Sequence, residues 1–260
     1  MTRTVILAAG EGTRLRPLTD HLPKTLVPLG GMPLLTRQMS VLRSSGITDI
    51  SIVVGYCAEA LESCGARLFR NPRYATTNMV ASLHSAKPLF DGADDVVVAY
   101  GDIVYEPRVL ARLLATDAPI AVVVDLGWQR LWELRMDDPL IDAETMKLDA
   151  AGHIVELGRK PRSLADIQGQ YIGLFKVRRA FAPEFFTRYE RLPDDALFEG
   201  RPRDKMYMTS YLQHHIDHGV PVLAATVTNG WVEVDSVQDL DRYERALAQG
   251  DLAPLYDSGA

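Results

Sequence analysis

The chain has 260 residues, 47% hydrophobic and 24% charged, a balance that excludes intrinsic disorder, collagen and coiled coil as whole-chain readings. A core of this length buries roughly 70–75% of the surface exposed by the unfolded chain, so neither a disulfide nor a structural metal is required. The net charge of −6 argues against a general nucleic-acid coat but not against an anionic small ligand, which a few placed cations and backbone amides can hold. Cys57 and Cys64 form no C-x-x-C pattern and read as free thiols in a reducing compartment. The first apolar run is too short for a signal peptide and no stretch is long enough to span a bilayer, so the expectation is a cytoplasmic protein with no membrane partner.

Four runs rich in β-branched residues predict strands at Thr4–Ala8, Asp49–Val54, Asp95–Ala99 and Ile120–Asp125. Helical periodicity fills the gaps at Pro33–Ser45, Ala58–Phe69, Met79–Leu89 and Glu106–Ala115. This alternation predicts an α/β fold with a parallel sheet, its strands buried on both faces. Residues 126–170 break the pattern with short segments and a hairpin around Ala151–Gly152, which reads as a small lobe over the sheet edge. A strand at Gln170–Val177, helices at Ala180–Glu190 and Asp204–His218, strands at Pro221–Thr226 and Trp231–Val234, and a helix at Val237–Gln249 follow. The last ten residues read as a frayed tail, and all 260 residues as one domain.

The most informative segment is LAAGEGTRLRPLTDHLPKTLVPLGG. A strand ends at Ala8–Ala9 and enters a turn with Gly10 and Gly12, whose freedom lets backbone amides approach a phosphate. Arg14 can hold phosphate oxygens bidentately, Lys24 supplies a second cation, and Arg16 is a further one. Leu15 breaks the dinucleotide G-x-G-x-x-G spacing, and the Walker G-K-S/T is absent.

The whole string resembles the signature G-x-G-T-R-L-x-P-L-T…P-K-x-L of the sugar-phosphate nucleotidyltransferase superfamily, standing here as Gly10, Gly12, Thr13, Arg14, Leu15, Pro17, Leu18, Thr19, Pro23, Lys24 and Leu26. The resemblance implies a Rossmann-like, GT-A-type fold: a mostly parallel mixed sheet flanked by helices, with residues 126–170 as an acceptor-side lobe. It lays Leu7, Ala8, Ala9, Gly10, Glu11, Gly12 and Thr13 along the nucleotide, with Tyr100 and Gly101 beside them. It brings Arg14 to the leaving pyrophosphate and Lys24 to the α-phosphate. Transfer between phosphates concentrates negative charge, for which Mg²⁺ held by carboxylates is the usual remedy. Asp102 and Asp235, each at the end of a predicted strand, stand in the contexts where the family places its metal carboxylates. Each is also a reasonable helix cap.

Lys160 in GRKP resembles the lysine of an E-K-P motif that contacts the acceptor phosphate; Arg159 stands where many sugar enzymes carry Glu, which weakens a sugar assignment. The segment 71–86 resembles the corresponding stretch of cytidylyltransferases acting on small phospho-compounds, with Tyr74, Thr77, Asn78 and Ser82 as candidate acceptor contacts. The strings around 132–149 and 166–177 resemble phosphocholine, phosphonate and phosphoglutamine cytidylyltransferases. They add Asp142, Glu144, Lys147, Gln170 and Tyr171 as acceptor candidates. Trp128, Trp132, Trp231 and Tyr171 could build a cage for a quaternary ammonium, or simply pack. The expected reaction is CTP plus a small phosphorylated or phosphonylated acceptor, with Mg²⁺ and without nucleic acid; a homodimer is left open. The alternatives are a sugar-1-phosphate uridylyl- or thymidylyltransferase and a nucleotide-binding sensor without turnover.

Overall fold

The computed structural model describes residues 1–257. Seven strands form the central sheet: β1 (Thr2–Ala8), β2 (Ile50–Val54), β3 (Arg67–Arg70), β4 (Asp95–Tyr100), then, after the short β5 (Ile103–Tyr105), β6 (Ile120–Asp125). A hairpin of β7 (Met146–Leu148) and β8 (Ile154–Leu157) precedes β9 (Gln170–Val177) and β10 (Val222–Val227). The order is β10-β6-β9-β4-β1-β2-β3. Strand β9 runs antiparallel to β4 and β6, while the other pairs are parallel, giving the mostly parallel mixed sheet that was expected.

The strands are apolar on both faces because helices cover both. Val97, Ala99 and Val123 point into one core with α1 (Leu34–Ser44), α3 (Pro107–Ala115) and α7 (Val237–Gln249). Val96, Val98 and Val122 point into the other with α2 (Met79–His84), α5 (Ala182–Glu190) and α6 (Met208–Asp217). That is the period-two alternation of a strand buried on both sides.

Three expectations need correction. The helix expected over Ala58–Phe69 is a single 3₁₀ turn, Ala58–Leu61, followed by β3: Gly65 at φ +76° ends the helical pattern, and Arg67–Arg70 then alternates as an edge strand. Residues 128–135 form a helix, α4 (Trp128–Arg135), whose buried face of Trp128, Leu131, Trp132 and Arg135 has helical spacing. The tail is not frayed through residue 256: Leu252, Leu255 and Tyr256 are buried, and the Leu255 carbonyl accepts from the Gly230 amide at 2.6 Å. The end of that expected tail, 258–260, lies outside the described residues.

One small ribbon places the functional ends. β11 (Trp231–Glu233) pairs antiparallel with β5, and the Val234 amide donates to the Asp102 carbonyl at 2.9 Å. The chain at 102 and the chain at 235 are thereby held side by side. Just beyond, Ser236 caps α7 in a capping box with Asp239, which leaves Asp235 free to face outward from the helix start. We expect Ser236→Ala to cost about 1 kcal/mol of stability, read as a lower urea midpoint at unchanged slope.

Candidate active site

The turn after β1 is shaped by two close approaches. Gly12 takes φ +60°, and a Cβ there would stand 3.0 Å from the Lys24 Cβ. At Gly101 a Cβ would stand 2.5 Å from the Leu7 carbonyl oxygen, which the Gly101 amide engages at 2.9 Å. Thr19 Oγ1 donates to the Gly12 carbonyl at 2.8 Å, and Tyr56 Oη donates to the Thr19 carbonyl at 2.9 Å, so the loop is tied to its own continuation. Among the described residues, the amides of Gly10, Glu11 and Gly12 make no backbone hydrogen bond, as a loop that receives an anion requires.

This loop forms one wall of a cavity of about 310 Å³ lined by Leu7, Ala8, Ala9, Gly10, Gly12, Thr13, Arg14 and Lys24. Tyr100, Gly101, Asp102, Glu233 and Asp235 line it too. The cavity opens at the carboxyl ends of β1 and β4, where ligands gather in open α/β sheets. Lys24 Nζ donates to Asp102 at 2.7 Å and to Asp235 at 2.5 Å, and Arg14 pairs with the other oxygen of Asp235. Burial would lower the Lys24 pKa, but the charges of Asp102 and Asp235 outweigh it and hold it above the ordinary lysine value. Burial likewise would raise Asp235, but Lys24 chiefly, with Arg14, keeps it below the usual carboxylate range.

Glu233 completes the group. Carboxylate oxygens of Asp102, Glu233 and Asp235 lie within 4.8 Å of one another. Asp102 Oδ1 is buried with no hydrogen-bond partner, so it has a lone pair to give. Three hard oxygen donors at this spacing, one of them orphaned, fit a divalent cation.

A second cavity of about 190 Å³ adjoins the first and shares Arg14, Met79, Tyr100, Glu233 and Asp235 with it. Its own walls include Trp132, Asp142, Glu144, Gln170, Tyr171, Tyr207 and Trp231. Gln170 holds the segment in place, accepting from the Glu144 amide at 3.1 Å and donating to the Glu144 carbonyl at 2.5 Å. Burial, with Glu199 and Asp142 nearby, pushes the Glu144 carboxyl up to about 7.

Most residues expected at the site are brought there, with a different division. Tyr74, Thr77, Asn78 and Ser82 line the first cavity, not the second. Asn71 Nδ2 bridges Thr77 and Ser82 at 2.9 Å each, and Asn78 also caps α2. Glu144, Gln170 and Tyr171 line the second cavity, as does Asp142. Three residues lie outside both: Glu11 pairs with Arg16 at 3.3 Å, and Lys147 pairs with Glu156 at 3.0 Å across the β7–β8 hairpin. Lys160 Nζ is spent on the carbonyls of Leu140 and Ile141. The tryptophans pack on one another, with Trp128–Trp132 and Trp132–Trp231 centroids 5.7 and 6.1 Å apart, and only Trp132 and Trp231 reach the cavity. Glu233 was missed, although its signal was present: in W-V-E-V-D, strand period two puts Glu233 and Asp235 on one face.

The sequence of this chain places it among the nucleotidyltransferases. The chain belongs to the MobA-like NTP transferase domain family, whose model matches residues 4–185. It is 36% identical over 246 residues to the CTP:phosphoglutamine cytidylyltransferase of Campylobacter jejuni, covering 91% of this chain and 97% of that protein. In fold it is similar to the solved CTP:phosphocholine cytidylyltransferase of Streptococcus pneumoniae, with TM-score 0.71, 23% identity, and coverage of 95% and 99% of the two chains. It is also similar to the inositol-1-phosphate CTP transferase of T. maritima, with TM-score 0.69, 20% identity, and coverage of 94% and 96%.

Two outcomes follow from the charges. The Glu144 carboxyl binds its proton more tightly folded than unfolded, so its charge costs stability increasingly as pH rises from about 4.5 through about 7. Glu144→Gln is therefore expected to be more stable than the parent by on the order of 2 kcal/mol at pH 8, with the gain shrinking towards pH 5, by urea unfolding at both pH values. Lys24→Gln removes the ammonium that competes for Asp102 and Asp235. Nucleotide-free protein carrying it should bind Mn²⁺ about tenfold more tightly by calorimetry.

Proposed function

We propose that this protein transfers CMP from CTP to a phosphate or phosphonate oxygen of a small metabolite, releasing pyrophosphate. The observation that carries the reading is the convergence of Arg14, Lys24, Asp102 and Asp235 in the first cavity, with Arg14 and Asp235 also lining the second. One cavity has the glycine loop a triphosphate needs; the other has room for a compact acceptor.

In this reading an acceptor oxygen attacks the α-phosphorus in line, and the bond to the pyrophosphate oxygen breaks. A phosphate or phosphonate oxygen is already deprotonated at neutral pH, so no general base is needed. The protein contributes alignment and charge compensation. Lys24 exchanges its carboxylate partners for the α-phosphate, and Arg14 stabilises the departing pyrophosphate. Asp102 and Asp235, joined by Glu233, are the residues that would hold Mg²⁺, which when bound neutralises phosphate charge. Lys160 has no part in this account, since its ammonium is turned to Leu140 and Ile141. Arg14, assigned here to the pyrophosphate, lines both cavities.

The acceptor class follows the relative that matches along nearly the whole of both chains. That protein's name gives phosphoglutamine as its acceptor, and we take a small phosphorylated amide, or a phosphonate of similar size, as the acceptor here. The acidic wall of Asp142 and Glu144 suits an acceptor with a cationic or amide end.

The test is pyrophosphate release from each of four NTPs against phosphoglutamine, 2-aminoethylphosphonate, phosphocholine and glucose 1-phosphate. Release with CTP and one of the first two acceptors is expected. Release only with UTP or dTTP and the sugar phosphate would overturn the reading. With the preferred pair, Asp102→Asn or Lys24→Ala should lower kcat by about two to three orders of magnitude at unchanged circular dichroism.

A further inference from the structure

We infer that Arg135 is a positioning residue for this transfer, fixing the carboxylates of the β11 end against the wall of the acceptor cavity. Arg135 ends α4, and its side chain is 2% exposed. Its Nη1 donates to Glu233 at 2.9 Å, and its Nε donates to Asp239 at 3.2 Å. The guanidinium also lies 5.3 Å from the centre of the Trp132 ring and 3.9 Å from Asp142. Trp132 and Asp142 both line the second cavity.

Two routes lead from this one group to the rim. The first is direct: Glu233 is one of the three clustered carboxylates. The second runs through Asp239, which accepts from the amides of Asp235 at 3.1 Å and Ser236 at 2.9 Å and so sets the backbone that carries Asp235. A planar fork with fixed donor directions can serve both acids at once, which a lysine cannot. A buried pair that only sealed the core would have partners remote from the rim. Here one partner belongs to the cluster and the other holds its neighbour.

The inference rests on the nucleotidyl-transfer reading, and its test is kept separate from turnover. Full-length Arg135→Lys keeps the charge and loses the fork. Mn²⁺ binding to nucleotide-free protein, read by electron paramagnetic resonance, is expected to weaken about tenfold. Combined with Glu233→Gln, the loss should be smaller than the product of the two single losses, because both variants act on the same carboxylate. In the transfer assay kcat should fall while KM for CTP holds. Unchanged or tighter Mn²⁺ binding in folded Arg135→Lys, or full additivity in the double variant, would overturn the inference. Should Arg135→Lys fail to fold, Asp239→Asn cuts the second route and is read by the same Mn²⁺ titration, with the same outcomes for and against. A parent protein that releases no pyrophosphate from CTP would reject the function yet leave the Mn²⁺ comparison standing.

Discussion

The arrangement depends on one ammonium group. Asp102 and Asp235 are forced together by the β5–β11 ribbon, and both are largely shielded from water. Two such carboxylates repel, and desolvation adds to the cost. Lys24 Nζ, donating to both, makes the pairing tolerable. In the reading proposed above, the same ammonium is the one that would turn to a phosphate, while the acids it now holds are those that would take a metal.

The two cavities differ in character although they share a wall. The first is built from backbone and glycines, with the cations Arg14 and Lys24 set against Asp102, Glu233 and Asp235. The second is aromatic and acidic, with Asp142, Glu144 and Glu233 against Trp132, Tyr171, Tyr207 and Trp231. Arg14 stands where they meet, paired to Asp235.

Much of this was legible in the residues because the signals were local. The strands at 4–8, 95–99 and 120–125 announce themselves through β-branched runs and the final helix through its periodicity, and all are found, although the helix is capped by Ser236 and not by Asp235. The loop from Gly10 to Lys24 is specific through its spacing, and its cations do meet Asp102 and Asp235. What stayed hidden is long-range. Lys160 lies beside a proline in a familiar tripeptide, yet a nearby 3₁₀ turn, Pro139–Ile141, offers it two bare carbonyls and turns it away. Arg135 looks like any arginine at a helix end, and only packing shows it buried among three acids. Thr77, Asn78 and Ser82, expected at the acceptor, line the cavity of the glycine loop, a placement that depends on packing between distant parts of the chain.

The bond between the Gly230 amide and the Leu255 carbonyl has a consequence for biosynthesis. The strand bearing Glu233 is braced by a segment more than a full helix later in the chain, and Lys24 waits for a partner 211 positions away. Closing so wide a separation is slow relative to forming local turns and helices. On the ribosome, the glycine loop and the early strands emerge long before the acids that complete the rim. Asp102 can reach Lys24 once the first part of the sheet has formed, but Asp235, which Lys24 and Arg14 share, comes only near the end of synthesis.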